Sequence, residues 1–174
     1  MVYFDLRGGW FDEHVYAPFR SIDQVVAYQP PRGDADFLLK GKQLFSMNCA
    51  VCHMEAGTGN PANGCPPLAG SDWVAAPGPG RIIRLVSKGA TGPIDVSGKT
   101  YNPSVPMLAI GDQLPGDEQQ KSESIAAILS YIRATFGNNA SLVTTEQVVK
   151  VRAEIKDRKT YFTAEELKAA PEAL

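Results

Sequence analysis

The sequence predicts an all-α fold of short helices joined by long loops, with a central domain that carries an extension at each end. Three observations predict it. Ile125, Ile128, Leu129, Ile132 and Phe136 fall at helical spacing and make one apolar stripe, the mark of a helix with one buried face. The 174 residues include 16 glycines and 13 prolines, which demand much loop. Between loop and helix stands Cys49-Ala50-Val51-Cys52-His53, two thiols and an imidazole in surroundings too rich in Gly and Pro to supply a βαβ setting.

The elements follow in chain order. Residues 1–35 form an irregular N-terminal extension with seven aromatics, Tyr3, Phe4, Trp10, Phe11, Tyr16, Phe19 and Tyr28. A disordered arm would avoid so many aromatics, so this piece is expected to pack on the central domain or dock on another subunit. Its one strong helix signal is Ser21–Ala27, and Tyr28-Gln29-Pro30-Pro31-Arg32-Gly33 breaks the chain after it. The central domain, 36–138, is expected to hold helices near 36–50, 79–88 and 117–136. Asp117 or Gly116 starts the last of these, and Gly137-Asn138 caps its end. In the tail, 139–174, Thr144-Thr145-Glu146-Gln147 and Thr163-Ala164-Glu165-Glu166 are capping boxes, each opening a short helix. Val148, Val151, Arg152 and Ile155 give the first a narrow apolar face, while the charges from Lys150 to Lys159, Arg152 and Glu154 among them, read as solvated. The tail is expected to fold back over the central domain.

The CxxCH segment carries the chemistry. Cys49 and Cys52 lie about one helical turn apart, so both sulfurs can add to the two vinyl groups on one porphyrin edge. His53 follows directly and can take the iron as proximal ligand. A redox dithiol and half of a zinc site are the competing readings. A zinc site wants four ligands, usually as two pairs, and beyond the motif the chain offers only Cys65 and His14. For the open face of a haem, Met107 is the candidate, 54 residues beyond His53 in Ser104-Val105-Pro106-Met107. Pro106 fixes its own φ and forbids helix just before the methionine, which places the thioether on an extended loop. Met54 adjoins His53 and cannot reach the other face, and Met47 lies on the helix leading into the motif. Thioether ligation stabilises reduced iron and raises the potential.

Around these anchors the chain resembles a class I c-type cytochrome. Gly41-Lys42-Gln43-Leu44-Phe45 puts a glycine eight and an aromatic four residues before Cys49, as in that family's first helix, and Ser124–Arg133 looks like its last. The resemblance implies that these helices cross closely, with Gly41 meeting Ile128 and Tyr131. It also implies that Cys65-Pro66-Pro67-Leu68-Ala69-Gly70 is the loop whose proline carbonyl, by position Pro66, accepts a hydrogen bond from His53. Cys65 stands where the family often has glycine. A narrower resemblance, over about Gly41 to Leu167, rests on Pro67–Val74, Ile83-Arg84-Leu85-Val86, Gly92-Pro93-Ile94 and Tyr101-Asn102. These look like the monohaem domains that accompany quinoprotein dehydrogenases and respiratory oxidases.

The resemblance implies one covalent haem c, electron-transfer function rather than catalysis, and redox protein partners such as a dehydrogenase, an oxidase or another electron-transfer subunit. Leu68 is expected against the ring, with Trp73, Arg84 and Tyr101 near the propionates, where a buried carboxylate needs donors. Cys65 is expected as a buried thiol beside the haem. The alternative is a haem enzyme or gas sensor with an open sixth position, in which Met107 is structural and His14 is the one remaining histidine. The chain shows no phosphate loop or nucleophile elbow, and a net charge of −2 implies neither nucleic acid nor an anionic membrane. No apolar run has the length of a membrane span and no export signal is visible, while attachment of haem to CxxCH takes place outside the cytoplasm. The expectation is a periplasmic or extracytoplasmic protein, in mature or trimmed form, with any membrane association through a partner or a missing anchor.

Overall fold

The computed structural model describes residues 34–172. The expectations for the N-terminal extension, including the helix over Ser21–Ala27 and the position of His14, lie outside the described residues.

Helix α1 (Asp34–Asn48) has Asp34 and Asp36 in its first turn, where acidic side chains complement the helix dipole. It runs almost directly into the one-turn helix α2 (Ala50–His53), through Cys49, whose N–H still reaches the Phe45 carbonyl at 2.8 Å. Helix α3 (Gly80–Lys88) buries Ile82, Ile83 and Val86. A β-hairpin follows, β1 (Ile94–Val96) and β2 (Lys99–Tyr101), antiparallel with Ile94 opposite Tyr101 and Val96 opposite Lys99. The all-α expectation did not contain it. Its signal was Ser97-Gly98, whose φ values of 49° and 80° make the turn type that matches strand twist.

After a short α4 (Ile110–Gln113) comes α5 (Glu118–Ala134), opened by a capping box in which Asp117 accepts from the Gln120 N–H while the Gln120 side chain accepts from the Asp117 N–H. The same reciprocal pair, centred on Thr144 and Thr163, opens α6 (Thr145–Glu154) and α7 (Ala164–Ala169), as the sequence led us to expect.

Helix α5 is the spine, with Ile125, Ala126, Ala127 and Ile128 fully buried. It crosses α1 so closely that a Cβ on Gly41 would overlap the Ala127 carbonyl and lie 2.9 Å from the Tyr131 Cβ. Of the two expected partners Tyr131 is met, while Ile128 gives way to Ala127. The contact falls one residue earlier because helix backbone, a carbonyl and not a side chain, fills the space glycine leaves. Phe45 sits beside this crossing, fully buried, with its ring 5.6 Å from Tyr131 and 5.3 Å from Phe136. Phe136 adopts φ 58° to end α5, a left-handed conformation a bulky residue rarely takes, and its ring covers Gly57, where a Cβ would come within 2.7 Å of it. Beyond Gly137, Asn138 donates to the Leu68 and Ile132 carbonyls and accepts from the Gly70 N–H, so the helix end is tied to the 68–70 loop.

The tail folds back and enters the core. Val143, Val148 and Val151 belong to the main apolar cluster with Phe45, Ile83 and Ile128. Phe162 and Leu167 form a second cluster with Trp73 and Val96. One tail charge expected in solvent is buried, and another stays exposed while pairing with a buried arginine. Arg152, 8% exposed, pairs with Glu118 at 2.7 Å and Asp112 at 3.4 Å, and Glu154 pairs with Arg84 at 2.6 Å. Residue types alone could not show this, because the partners lie more than thirty positions away in α3, α4 and α5.

Candidate functional site

Helices α2 and α3, the hairpin and the loops on either side of it surround an apolar cavity of about 610 Å³. That volume lies within the roughly 300–1,000 Å³ range of sites that bury cofactor-sized molecules. Cys49, Cys52 and His53 form one part of the wall, Pro66 and Leu68 another, and Met107 lines the same space from the loop before α4. No Lys, Arg, Asp or Glu among the described residues lines it.

The imidazole of His53 is buried, and burial pushes its pKa down from the ordinary histidine value. It is therefore neutral, the form that can ligate a metal. Its Nδ1 lies 3.1 Å from the Pro66 carbonyl oxygen, which can only accept, so Nδ1 carries the proton and Nε2 keeps its lone pair. The loop holding Pro66 is positioned by Gly57, whose carbonyl accepts from the Leu68 and Ala69 N–H groups at 2.8 and 2.9 Å. Met54, directly after the histidine, adopts φ 61° and ψ 155°, a backbone conformation otherwise nearly confined to glycine, and so turns the chain sharply out of α2.

Burial, with a smaller contribution from neighbouring Cys52, pushes the Cys49 thiol up to about 12, whereas reactive dithiols have a lowered value. Cys65 is half-buried with its Sγ 3.4 Å from His53 Nδ1, and burial, with Cys52 again adding, pushes it up to about 11. Among the described residues no cluster of three or more His, Cys, Asp or Glu side chains has the arrangement to hold a metal ion.

Seven of the nine residues singled out from the sequence converge on the cavity: Cys49, Cys52, His53, Pro66, Leu68, Trp73 and Met107. Trp73 contributes only its ring, because its indole N–H donates to the Asp95 carbonyl at 2.7 Å and is not available to a carboxylate. Arg84 and Tyr101 are not brought to the wall. Arg84 points into the junction of α3, α6 and the C-terminus, donating to Glu154 and to the Gly80 and Pro171 carbonyls. Its Ile83 neighbour faces the core, so helical geometry turns Arg84 toward the tail. Tyr101 packs in the hairpin cluster under the Lys99 ammonium. Sequence reasoning missed Ile82, Leu85 and Val86, which form the α3 wall. Their i, i+3, i+4 spacing was visible, but nothing in it distinguishes a cofactor wall from ordinary core.

The donor set fits a covalently held haem. Two thiols one turn apart, a neutral imidazole with an unprotonated Nε2 and a thioether share one apolar cavity that no charged side chain among the described residues lines. The comparisons agree. A family-wide description of cytochrome c matches residues 38–136. The FixP subunit of the cbb3-type cytochrome c oxidase of Bradyrhizobium diazoefficiens is 33% identical over 98 residues, 56% of this chain and 30% of that protein. The cytochrome c subunit of the quinone alcohol dehydrogenase of Gluconobacter oxydans is 31% identical over 114 residues, 64% of this chain and 22% of that protein. The fructose dehydrogenase cytochrome subunit of Gluconobacter japonicus is likewise 31% identical over 114 residues, 65% and 22%. The chain thus spans less than a third of the length of these curated relatives. With the family match covering more than half of the chain and reaching from α1 to the end of α5, the chain belongs to the cytochrome c family and carries covalent haem c.

Proposed function

We propose that the chain is a one-electron carrier, working as an electron-transfer subunit or domain in an extracytoplasmic redox complex with a dehydrogenase or an oxidase. Cys49 and Cys52 would supply the thioether bonds, and His53 and Met107 would hold the iron. The observation that carries this is His53 and Met107 on the walls of one cavity, with the two cysteines beside the histidine. The haem supplies the chemistry, cycling between ferric and ferrous iron.

The residues do the rest. The Pro66 carbonyl holds the His53 proton on Nδ1, which keeps the ligating nitrogen unprotonated and the ring oriented. Leu68, Ile82, Leu85 and Val86 keep water from the iron, which lowers the local dielectric and favours the less charged ferrous state. The lining residues most exposed at its mouth are apolar, with Val51, Val105 and Leu108 at 78%, 60% and 51% exposure. A surface of that kind suits apolar docking within a standing complex better than electrostatic capture of a mobile partner. Among the described residues no helix is long and apolar enough to cross a membrane. We assign the partner role in part to residues 1–33, whose aromatics would add to such an interface.

The test is Met107→Ala in the holoprotein. The long-wavelength ferric band from sulfur-to-iron charge transfer should vanish and the midpoint potential should fall, with the covalent haem retained. Survival of that band would refute Met107 as ligand and assign the sixth position to another sulfur, whereas absence of the band from the parent would favour the open-site reading.

A further inference from the structure

The loop that carries Met107 is exposed on both sides of it, at Val105 and Leu108, yet both backbone groups of Met107 are engaged. Its N–H donates to the Ala90 carbonyl at 2.9 Å, and its own carbonyl accepts from the Ala90 N–H at 3.1 Å. The strip 89–91 is in turn held from its other edge by the tail. The Phe162 N–H donates to the Gly89 carbonyl at 3.1 Å, and the Thr91 N–H donates to the Phe162 carbonyl at 2.9 Å. Ala90 is thus the middle of a three-chain ladder, antiparallel to Met107 and parallel to Phe162.

Two features show that this junction is built. Gly89 has φ 72°, and a Cβ there would overlap the Met107 carbonyl and lie 2.7 Å from the Tyr161 ring, so three chains meet where only glycine leaves room. Phe162 is anchored on its outer side as well. Its ring is 6% exposed among Trp73, Val96 and Leu167, with the Arg158 guanidinium 3.7 Å above it. Arg158 also donates to the Thr160 and Tyr161 carbonyls and to Glu166 at the start of α7.

We propose that the C-terminal segment Arg158–Ala169 is a positioning element for the sixth ligand: Phe162 pins Gly89–Thr91, and that strip holds the Met107 backbone so that the thioether stays in the cavity. The inference rests on the reading of Met107 as an axial ligand. Releasing the tail leaves haem, thioether bonds and His53 in place and lets the Met107 loop open. The tail then governs how readily an outside ligand reaches the iron.

The experiment uses the full-length ferric holoprotein and the variants Phe162→Ala and Arg158→Ala. Amide hydrogen exchange of Met107 reports the ladder directly, and the rate of imidazole uptake by the ferric iron reports opening of the sixth position. Phe162→Ala should lower Met107 protection by about tenfold or more relative to Ile128 in the core of α5, and should speed imidazole uptake by a similar factor. Arg158→Ala should move both in the same direction by less, and it serves as the readout if Phe162→Ala does not fold. Unchanged Met107 protection and unchanged uptake in the folded variants would overturn the proposal. Met107→Ala in the intact chain separates the two readings. If it leaves the charge-transfer band and imidazole uptake as they were, the ligand assignment fails, and the exchange measurement still decides whether the tail holds the loop.

Discussion

Arg133 gives the sharpest test of how the scaffold behind the cavity is held. Its guanidinium is 1% exposed and makes four hydrogen bonds: Nη1 to the Val74 and Ala76 carbonyls at 2.7 and 3.1 Å, Nε to the Ser141 carbonyl at 2.7 Å, and Nη2 to the Ser141 hydroxyl at 3.1 Å. One side chain on α5 therefore ties down the turn after Trp73 and the start of the tail. Replacing it with methionine keeps most of the volume and removes every donor. Two buried carbonyls, Val74 and Ala76, then lack partners, each costing about 1–3 kcal/mol, and the carbonyl of exposed Ser141 loses its donor as well. The losses are not additive, because one shift can expose several groups at once, and a net loss of about 3–5 kcal/mol follows. For a chain of this size each kcal/mol moves Tm by roughly 2–4 °C, so Arg133→Met should melt about 6–20 °C below the parent. The assay is urea unfolding of the ferric holoprotein by circular dichroism, with the slope required to match the parent. R133K, which keeps the charge but cannot fork across both carbonyl sets, should fall between the two. A loss below about 1 kcal/mol for Arg133→Met at unchanged slope would refute the reasoning, since it would mean the carbonyls are satisfied without the arginine.

Three further outcomes follow from the same geometry. Gly41→Ala should destabilise by about 1–3 kcal/mol in urea unfolding, despite alanine's better helix propensity, because its Cβ meets the Ala127 carbonyl; a stabilised variant would show that α1 and α5 can separate freely. Arg84→Gln should leave the midpoint potential within error, measured by redox titration, while lowering stability, because Arg84 serves Glu154 and Pro171 and not the cavity; a clear shift in potential would place it electrostatically near the haem. The hydrogen bond from Arg152 holds the Glu118 carboxyl below the ordinary glutamate value. Its contribution is therefore complete above about pH 4.3, the unfolded value, and is lost as pH falls through the lower folded value. Melting curves from pH 6 to about 3 should show less acid sensitivity in Glu118→Gln than in the parent, and equal slopes would remove Glu118 from the acid response.

The covalent chemistry was legible in the sequence because it is local. Two cysteines and a histidine within five residues are brought to one wall by a single helical turn, whatever the rest of the chain does. Caps are local too, and Asp117, Thr144 and Thr163 start their helices through bonds to residues three positions on. Met107 could be singled out because Pro106 restricts the backbone beside it. Where that loop sits, however, depends on Ala90 and Phe162, hydrogen-bond partners from two distant segments, and backbone groups are the same at every position. Arg84, Arg133 and Arg152 were beyond reach for a related reason. An arginine's charge and length permit a propionate, a carboxylate or a set of carbonyls, and only the packing of α3, α5 and the tail decides which partner lies within reach. Gly41 and Ala127 mark the boundary between the two cases. The glycine announced a close crossing at Tyr131, but the Ala127 carbonyl in place of Ile128 followed from the way two whole helices pack.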